Sequence, residues 1–208
     1  MGEKCREMLG VRAKVAEIHG LILKSGAGSP IRSKYVGMTS VTIRSYRPSD
    51  HSAGRQLWGE LTREHSELYG DGSAAAGPGE GEAAFEEYLT RLDLSGVWVA
   101  EHPDDDVIGL IGMIMKGRVG EVEPVVVTAR HRGQGIGRRL LDHVAEQARG
   151  RGLTSLTISP ASRNVEAIRC LHAAGYDVLS SIELTMDLGP RHGQWQDGPA
   201  LHDLKFRA

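Results

Sequence analysis

Cysteine is scarce in this chain. Its 208 residues hold two, Cys5 and Cys170, and neither stands in a metal-type spacing. A disulfide scaffold is excluded, and a reducing, cytoplasmic setting is the simplest one. Long apolar runs are missing as well: none approaches the roughly 18 residues that a membrane span needs. The N-terminus has no signal-peptide core, and Met1-Gly2 fails as a myristoylation start because Arg6 stands where Ser or Thr is required. Neither sign of charge dominates. With 25 basic and 27 acidic residues the net charge is −2, which argues against a general nucleic-acid binder. The nine histidines contain no i,i+4 pair, so the spacing predicts no metal site.

What is present is concentrated in residues 121–141, EVEPVVVTARHRGQGIGRRLL. Val122 and Val125–Val127 form a β-branched run that reads as a buried strand. Arg130, His131 and Arg132 follow, then Gly133, Gly135 and Gly137 at alternate positions. Ile136, Leu140, Leu141, Val144 and Ala148 then share one helical face. A strand, a glycine loop and a helix N-terminus together make an anion cradle: glycine lets backbone N–H groups approach a ligand, and the first helical turn has free donors and a partial positive charge. Arg138 and Arg139 lie in that turn, where a cation costs about 0.3–1 kcal/mol unless an anion docks there. An ordinary strand–helix turn with solvated arginines is the plain alternative.

Two phosphate motifs fail. A P-loop needs Gly-Lys-Ser/Thr, and Gly137 is followed by Arg138. The dinucleotide fingerprint needs glycine at position 138. The pattern that survives is Arg132-x-x-Gly135-x-Gly137.

Elsewhere the chain divides into an N-terminal extension (1–38), a domain (39–188) and a polar tail (189–208). The extension carries seven basic against three acidic residues, and Met8, Val11, Val15, Ile18 and Ile22 are spaced for an amphipathic helix. Met38 is a candidate natural start. Strands are expected at 41–47, 97–101, 107–116, 153–159, 178–180 and 182–188, besides the central one. Helices are expected from Pro48-Ser49-Asp50 to about residue 69, at 83–94, after Gly135, and at 164–174. A Gly/Ala-rich loop covers 70–82. The order is βααβββαβαββ. Trp195, Leu201, Leu204 and Phe206 in the tail suggest docking on the body or across a homodimer.

This order, the Arg132–Gly137 signature and Asn164-x-x-Ala167 followed by Gly175-Tyr176 resemble the GCN5-related N-acetyltransferases, the GNAT superfamily. The resemblance spans about residues 41–188. It implies an α/β fold: a mixed, mostly antiparallel sheet of about seven strands flanked by about four helices. It also implies acetyl-CoA as cosubstrate. Val125, Val126 and Val127 would pair through their backbone with the pantetheine arm. Arg132, Gly133, Gln134, Gly135, Ile136, Gly137 and Arg138 would surround the pyrophosphate, and Asn164 would contact the cofactor near its sulfur.

The implied reaction is acyl transfer to an amine. A free alkylamine with a pKa of about 10.4 is neutral in only about one molecule per thousand at neutral pH, so a general base helps. Glu123 is the candidate, with a structural carboxylate as its plain alternative and Glu121 as backup. Pro124, which cannot donate to a ladder, suits a bulge or a parting of strands there. The backbone N–H near Val127 would polarise the acyl carbonyl. Many relatives carry a tyrosine seven residues after the Asn as the acid; here that position is Leu171. Cys170, His172 and Tyr176 are out of register, so turnover is expected without a dedicated acid. The resemblance implies that the acceptor lies on the other side of the parted strands, framed by the first two helices and the loop at 70–82, where Glu80, Glu82, Glu86 and Glu87 would favour a cationic amine or simply form a solvated acidic face. A non-catalytic acyl-CoA-binding module, and a scaffold whose basic arm binds a partner, are the competing readings.

Overall fold

The structure, a computed structural model, describes residues 41–69, 80–91, 93–186 and 195–208. The expectations for the extension, for most of the glycine-rich loop and for residues 187–194 lie outside the described residues. The first strand, β1 (Thr42–Ser45), leads through a 3-10 turn at Pro48–Asp50 into α1 (His51–Tyr69). Then come α2 (Glu80–Thr90), β2 (Val97–His102), β3 (Asp106–Lys116) and β4 (Val119–Val127). The glycine loop feeds α3 (Ile136–Gly150), followed by β5 (Ser155–Thr157) and α4 (Val165–Ala173). The five strands form one sheet in order β1-β2-β3-β4-β5, antiparallel except for the parallel β4–β5 pair.

Alternation along the strands splits the core in two. Trp98, Ala100, Ile111, Met113 and Val122 pack with Ile136, Leu140, Leu141, Val144 and Ala148 of α3 and Leu171 of α4. Val97, Val99, Leu110 and Val126 pack with Leu57 and Trp58 of α1 and Phe85 and Tyr88 of α2. The helical face expected of α3 is buried in full.

Arg44 ties the first three elements together. Its guanidinium donates to both oxygens of Asp50 (2.7 and 3.0 Å) and to Glu101 of β2 (2.8 Å), and the Arg47 N–H also donates to Asp50 (2.8 Å). Asp50 is buried, and the hydrogen bonds from Arg44 hold its carboxyl below the usual carboxylate range. A group depressed in the folded state contributes stability above its unfolded pKa and loses it as pH falls through the folded value. Arg44→Ala is therefore expected to cost about 3 kcal/mol at neutral pH, because it strands a buried carboxylate. Urea melts should show the gap to wild type closing in acid. A constant gap would mean that the pair is not what Arg44 supplies.

Two expectations need correction. Residues 178–180 and 182–188 do not form strands: the described part, to residue 186, has no regular pairing. Val178, Leu184 and Met186 alternate as in a strand, yet stand largely exposed. The reason is the neighbour, since β5 keeps only three residues and offers little edge to pair with. Among the described residues the sheet thus has five strands rather than about seven. The last two strands are instead β6 (Asp197–Leu201) and β7 (Leu204–Arg207), a separate hairpin. His202 and Asp203 turn it with φ of 52° and 65°, the primed geometry that suits a two-residue hairpin loop. Leu204, one of the tail residues expected to dock, is 62% exposed.

Candidate functional site

The site begins where β4 changes phase. Ile111 pairs with Val125 but Met113 pairs with Val122, so Glu123 and Pro124 together face Gly112. This is a β-bulge, and the Glu123–Pro124 peptide within it is cis. Before the bulge Val122 faces the α3 core; after it, Val125 and Val127 face that core and Val126 the other. The bulge also ends the β4–β5 ladder. The last pair is Glu121 with Thr157, and beyond it β4 has no partner on that side among the described residues. This accounts for the shortness of β5, expected over 153–159.

The free edge can be assigned residue by residue. The Thr128 N–H donates to Ile108 of β3 (2.9 Å). By alternation, Val126 turns its polar backbone toward Leu110 of β3, while Val125 and Val127 turn theirs toward the gap. Of the three valines singled out in the sequence, two face the opening and Val126 does not. The Val127 carbonyl already accepts from Arg132 Nε (2.8 Å).

The glycine loop lies beside this edge. Gly135 is the N-cap residue of α3, at φ 79° and ψ 5°, and no side chain caps the helix. Gly133 has φ 72°. A Cβ at either would meet no protein atom within 4 Å, and the atom nearest one at Gly137 is Val127 Cγ2 at 3.9 Å. Left-handed backbone and open space over an uncapped helix N-terminus fit a diphosphate. Gln134 is exposed, and Ile136 is buried as the loop's apolar anchor.

The arginines behave differently from the expectation that a docked polyanion explains them. Arg138 donates to Asp142 (2.9 Å) and to the Ala173 carbonyl at the end of α4 (2.7 Å), and Arg139 donates to the Val41 carbonyl (2.6 Å). Both side chains fasten α3 to its neighbours. Arg132 pairs with Glu64 of α1 at 2.5 Å. Glu60, one turn earlier, accepts from the Thr128 hydroxyl (2.9 Å) and the Ala129 N–H (3.2 Å). Sequence reasoning missed both glutamates. Their i,i+4 spacing was the available signal, but that spacing is common on solvated helices.

Glu123 lies in the bulge with its carboxylate half exposed, 3.6 Å from Arg91, which follows α2. Its backbone carbonyl accepts the Tyr88 hydroxyl. Burial pushes the Tyr88 phenol far above its ordinary value, and the Glu123 charge adds to the shift. Tyr88 is therefore a permanent donor, and it was not visible as a site residue in the sequence. The backup, Glu121, is paired with Lys116 at 2.6 Å. Asn164 is the N-cap of α4, its side-chain oxygen accepting from the Ala167 N–H at 3.0 Å. Leu171 is core. Cys170 and His172 are exposed. The Tyr176 hydroxyl is buried without a hydrogen-bond partner among the described residues, and burial pushes it up to about 12. On the acceptor side Glu86 is already paired with His51 (3.1 Å) and Arg55 (3.2 Å).

A family model described as "Acetyltransferase (GNAT) family" matches residues 56–176, more than half of the chain. The chain belongs to the GNAT acetyltransferase family. Among curated relatives, this GNAT chain is 51% identical over 43 residues to glucosamine 6-phosphate N-acetyltransferase 1 of Oryza sativa subsp. japonica, covering 21% of this chain and 26% of that protein. It is 32% identical over 73 residues to the L-methionine sulfoximine/L-methionine sulfone acetyltransferase of Salmonella typhimurium, covering 35% and 41%. It thus spans well under half the length of either. Among solved structures, a GNAT-family acetyltransferase from Staphylococcus aureus Mu50 superposes with a TM-score of 0.54 at 16% identity, over 71% of this chain and 95% of that one. That likeness shows the GNAT fold.

Proposed function

We propose that this protein is an N-acetyltransferase that transfers an acetyl group from acetyl-CoA to a primary amine by direct attack in a ternary complex. The observation that carries the reading is the uncapped glycine cradle of α3 beside the open β4 edge. Family membership supports acetyl-CoA as the donor. Gly133, Gln134, Gly135, Ile136 and Gly137, with the Arg138 N–H, would hold the diphosphate, Arg132 would brace that loop, and the Val125 and Val127 backbone would align the pantetheine arm. Asn164 would reach the sulfur end through its nitrogen. When bound, acetyl-CoA supplies an activated acyl thioester.

The protein's own residues do the rest. Glu123 receives the proton that the amine must lose, on the side of the sheet facing α2. The Val127 N–H would polarise the acyl carbonyl. With Leu171 in the core, no side chain at the usual place protonates the leaving thiolate; a thiol of pKa about 8.5 leaves tolerably without one. The names of both curated relatives point to small amine-bearing acceptors, and a small amine in the cytoplasm is the substrate class we favour, for a catalytic domain at 39–188 that acts alone or as a homodimer.

Leu171 also favours a second reading, a non-catalytic acyl-CoA-binding module. Calorimetric titration with CoA and thiol release with a panel of amines separate the two. We expect binding and release with at least one amine; binding without release favours the module, and no binding overturns both. Gly135→Ala should weaken CoA by about tenfold, since a Cβ in the left-handed region costs about 1–2 kcal/mol and projects into the cradle.

A further inference from the structure

We propose a divalent metal site, best suited to zinc, formed by His102, Asp105 and His131. The three come from separate places: the end of β2, the β2–β3 turn, and the 3-10 turn Ala129–His131 that leads into Arg132. One ligand atom from each lies within 4.8 Å of the others. His131 Nε2 is 2.8 Å from Asp105 Oδ2, and His102 Nδ1 is 3.7 Å from the same oxygen. Ligands about 2.0–2.1 Å from a tetrahedral zinc lie about 3.3 Å apart, so these separations bracket what the ion requires. Two imidazoles and a carboxylate suit a borderline ion such as Zn²⁺.

The backbone N–H groups of Asp104 and Asp105 both donate to His102 Nδ1, at 3.2 Å, so that nitrogen carries no proton, and its single lone pair is shared by two long hydrogen bonds that a bound ion would displace. Both rings are largely shielded, with side-chain exposures of 8% for His102 and 12% for His131, while Asp105 at 39% keeps one side open to water. His102 also lines a groove of about 480 Å³ together with Glu101, Asp104 and Asp106. The histidines are 29 positions apart, which is why no sequence spacing announced them.

Such an ion would pin the β2–β3 turn to the entrance of the glycine loop. The site stands whether or not the acetyltransferase reading does. The test is calorimetric titration of tag-free, EDTA-dialysed full-length protein with Zn²⁺, with Co²⁺ absorption to report the ligand set. We expect one ion per chain and a raised melting temperature. His131→Ala and Asp105→Asn should each weaken binding by at least the ~10–100-fold that losing a supporting partner costs and abolish the thermal shift. His172→Ala, an exposed histidine on α4, should leave both unchanged. Absence of stoichiometric binding, or binding indifferent to His131→Ala and Asp105→Asn, overturns the proposal. His102→Ala is the third variant; should it fail to fold, the other two decide.

Discussion

Glu123→Gln is expected to lower kcat/KM for the best amine by about 10²–10⁴-fold, the range in which a positioned proton acceptor acts. Glutamine keeps the side chain's length and leaves the bulge intact, because the bulge is held through the Glu123 backbone carbonyl and Tyr88 rather than through the carboxylate. What the substitution removes is the ability to take a proton. The loose 3.6 Å contact with Arg91 also goes, but an exposed pair at that distance contributes little. The deficit should appear in kcat with CoA affinity unchanged, since the carboxylate is not among the groups assigned to the cradle. It should also shrink as pH rises and the amine deprotonates unaided. A variant that matches wild type at every pH would move the base elsewhere, with Glu121 next in line despite its ion pair with Lys116.

The second large effect is structural. A Cβ at Gly112 would lie 1.8 Å from the Tyr88 hydroxyl oxygen and 2.5 Å from the Glu123 carbonyl oxygen. Neither can retreat cheaply. Tyr88 is fully buried between α1 and the sheet, against Trp58 and Phe85, and the carbonyl belongs to the strand itself. Gly112→Ala should therefore destabilise the protein by about 3 kcal/mol or more, read as a shifted urea midpoint, with Glu123 displaced and turnover falling as well. Tyr88→Phe alone should cost about 1–2 kcal/mol by leaving that carbonyl unpaired. Combined with Gly112→Ala it should recover part of the loss, because the closest clash disappears. If Gly112→Ala melts with wild type, the two-against-one register at Glu123 and Pro124 is not the true one.

Much of this was legible in the sequence. Periodicity marked α3 because its apolar face is continuous and its neighbours are charged. The glycine spacing marked the cradle because left-handed backbone demands glycine at Gly133 and Gly135. Pro124 marked the parting of β4 from β5, since a residue without an N–H cannot extend a ladder. What stayed hidden depends on contacts between distant residues. Nothing local pairs Gly112 with Tyr88, Arg44 with Asp50 and Glu101, or His102 with His131. The alternation from Val178 to Met186 reads as a strand, but a strand also needs an edge to join, and β5 is too short to supply one. The hairpin at β6 and β7 escaped notice because Gly198 and Pro199 interrupt its first strand and its turn carries no glycine.

The division of the interior by the sheet has a practical corollary. The three indoles fall in three different neighbourhoods: Trp58 among Phe85 and Tyr88 on one side, Trp98 against His143 and the Arg151 guanidinium on the other, and Trp195 at the foot of the terminal hairpin. Ultraviolet emission from single-tryptophan versions can thus follow each neighbourhood independently. A ligand that orders the α3 side would register through Trp98, and an acceptor lodged near α2 through Trp58, before any label is attached.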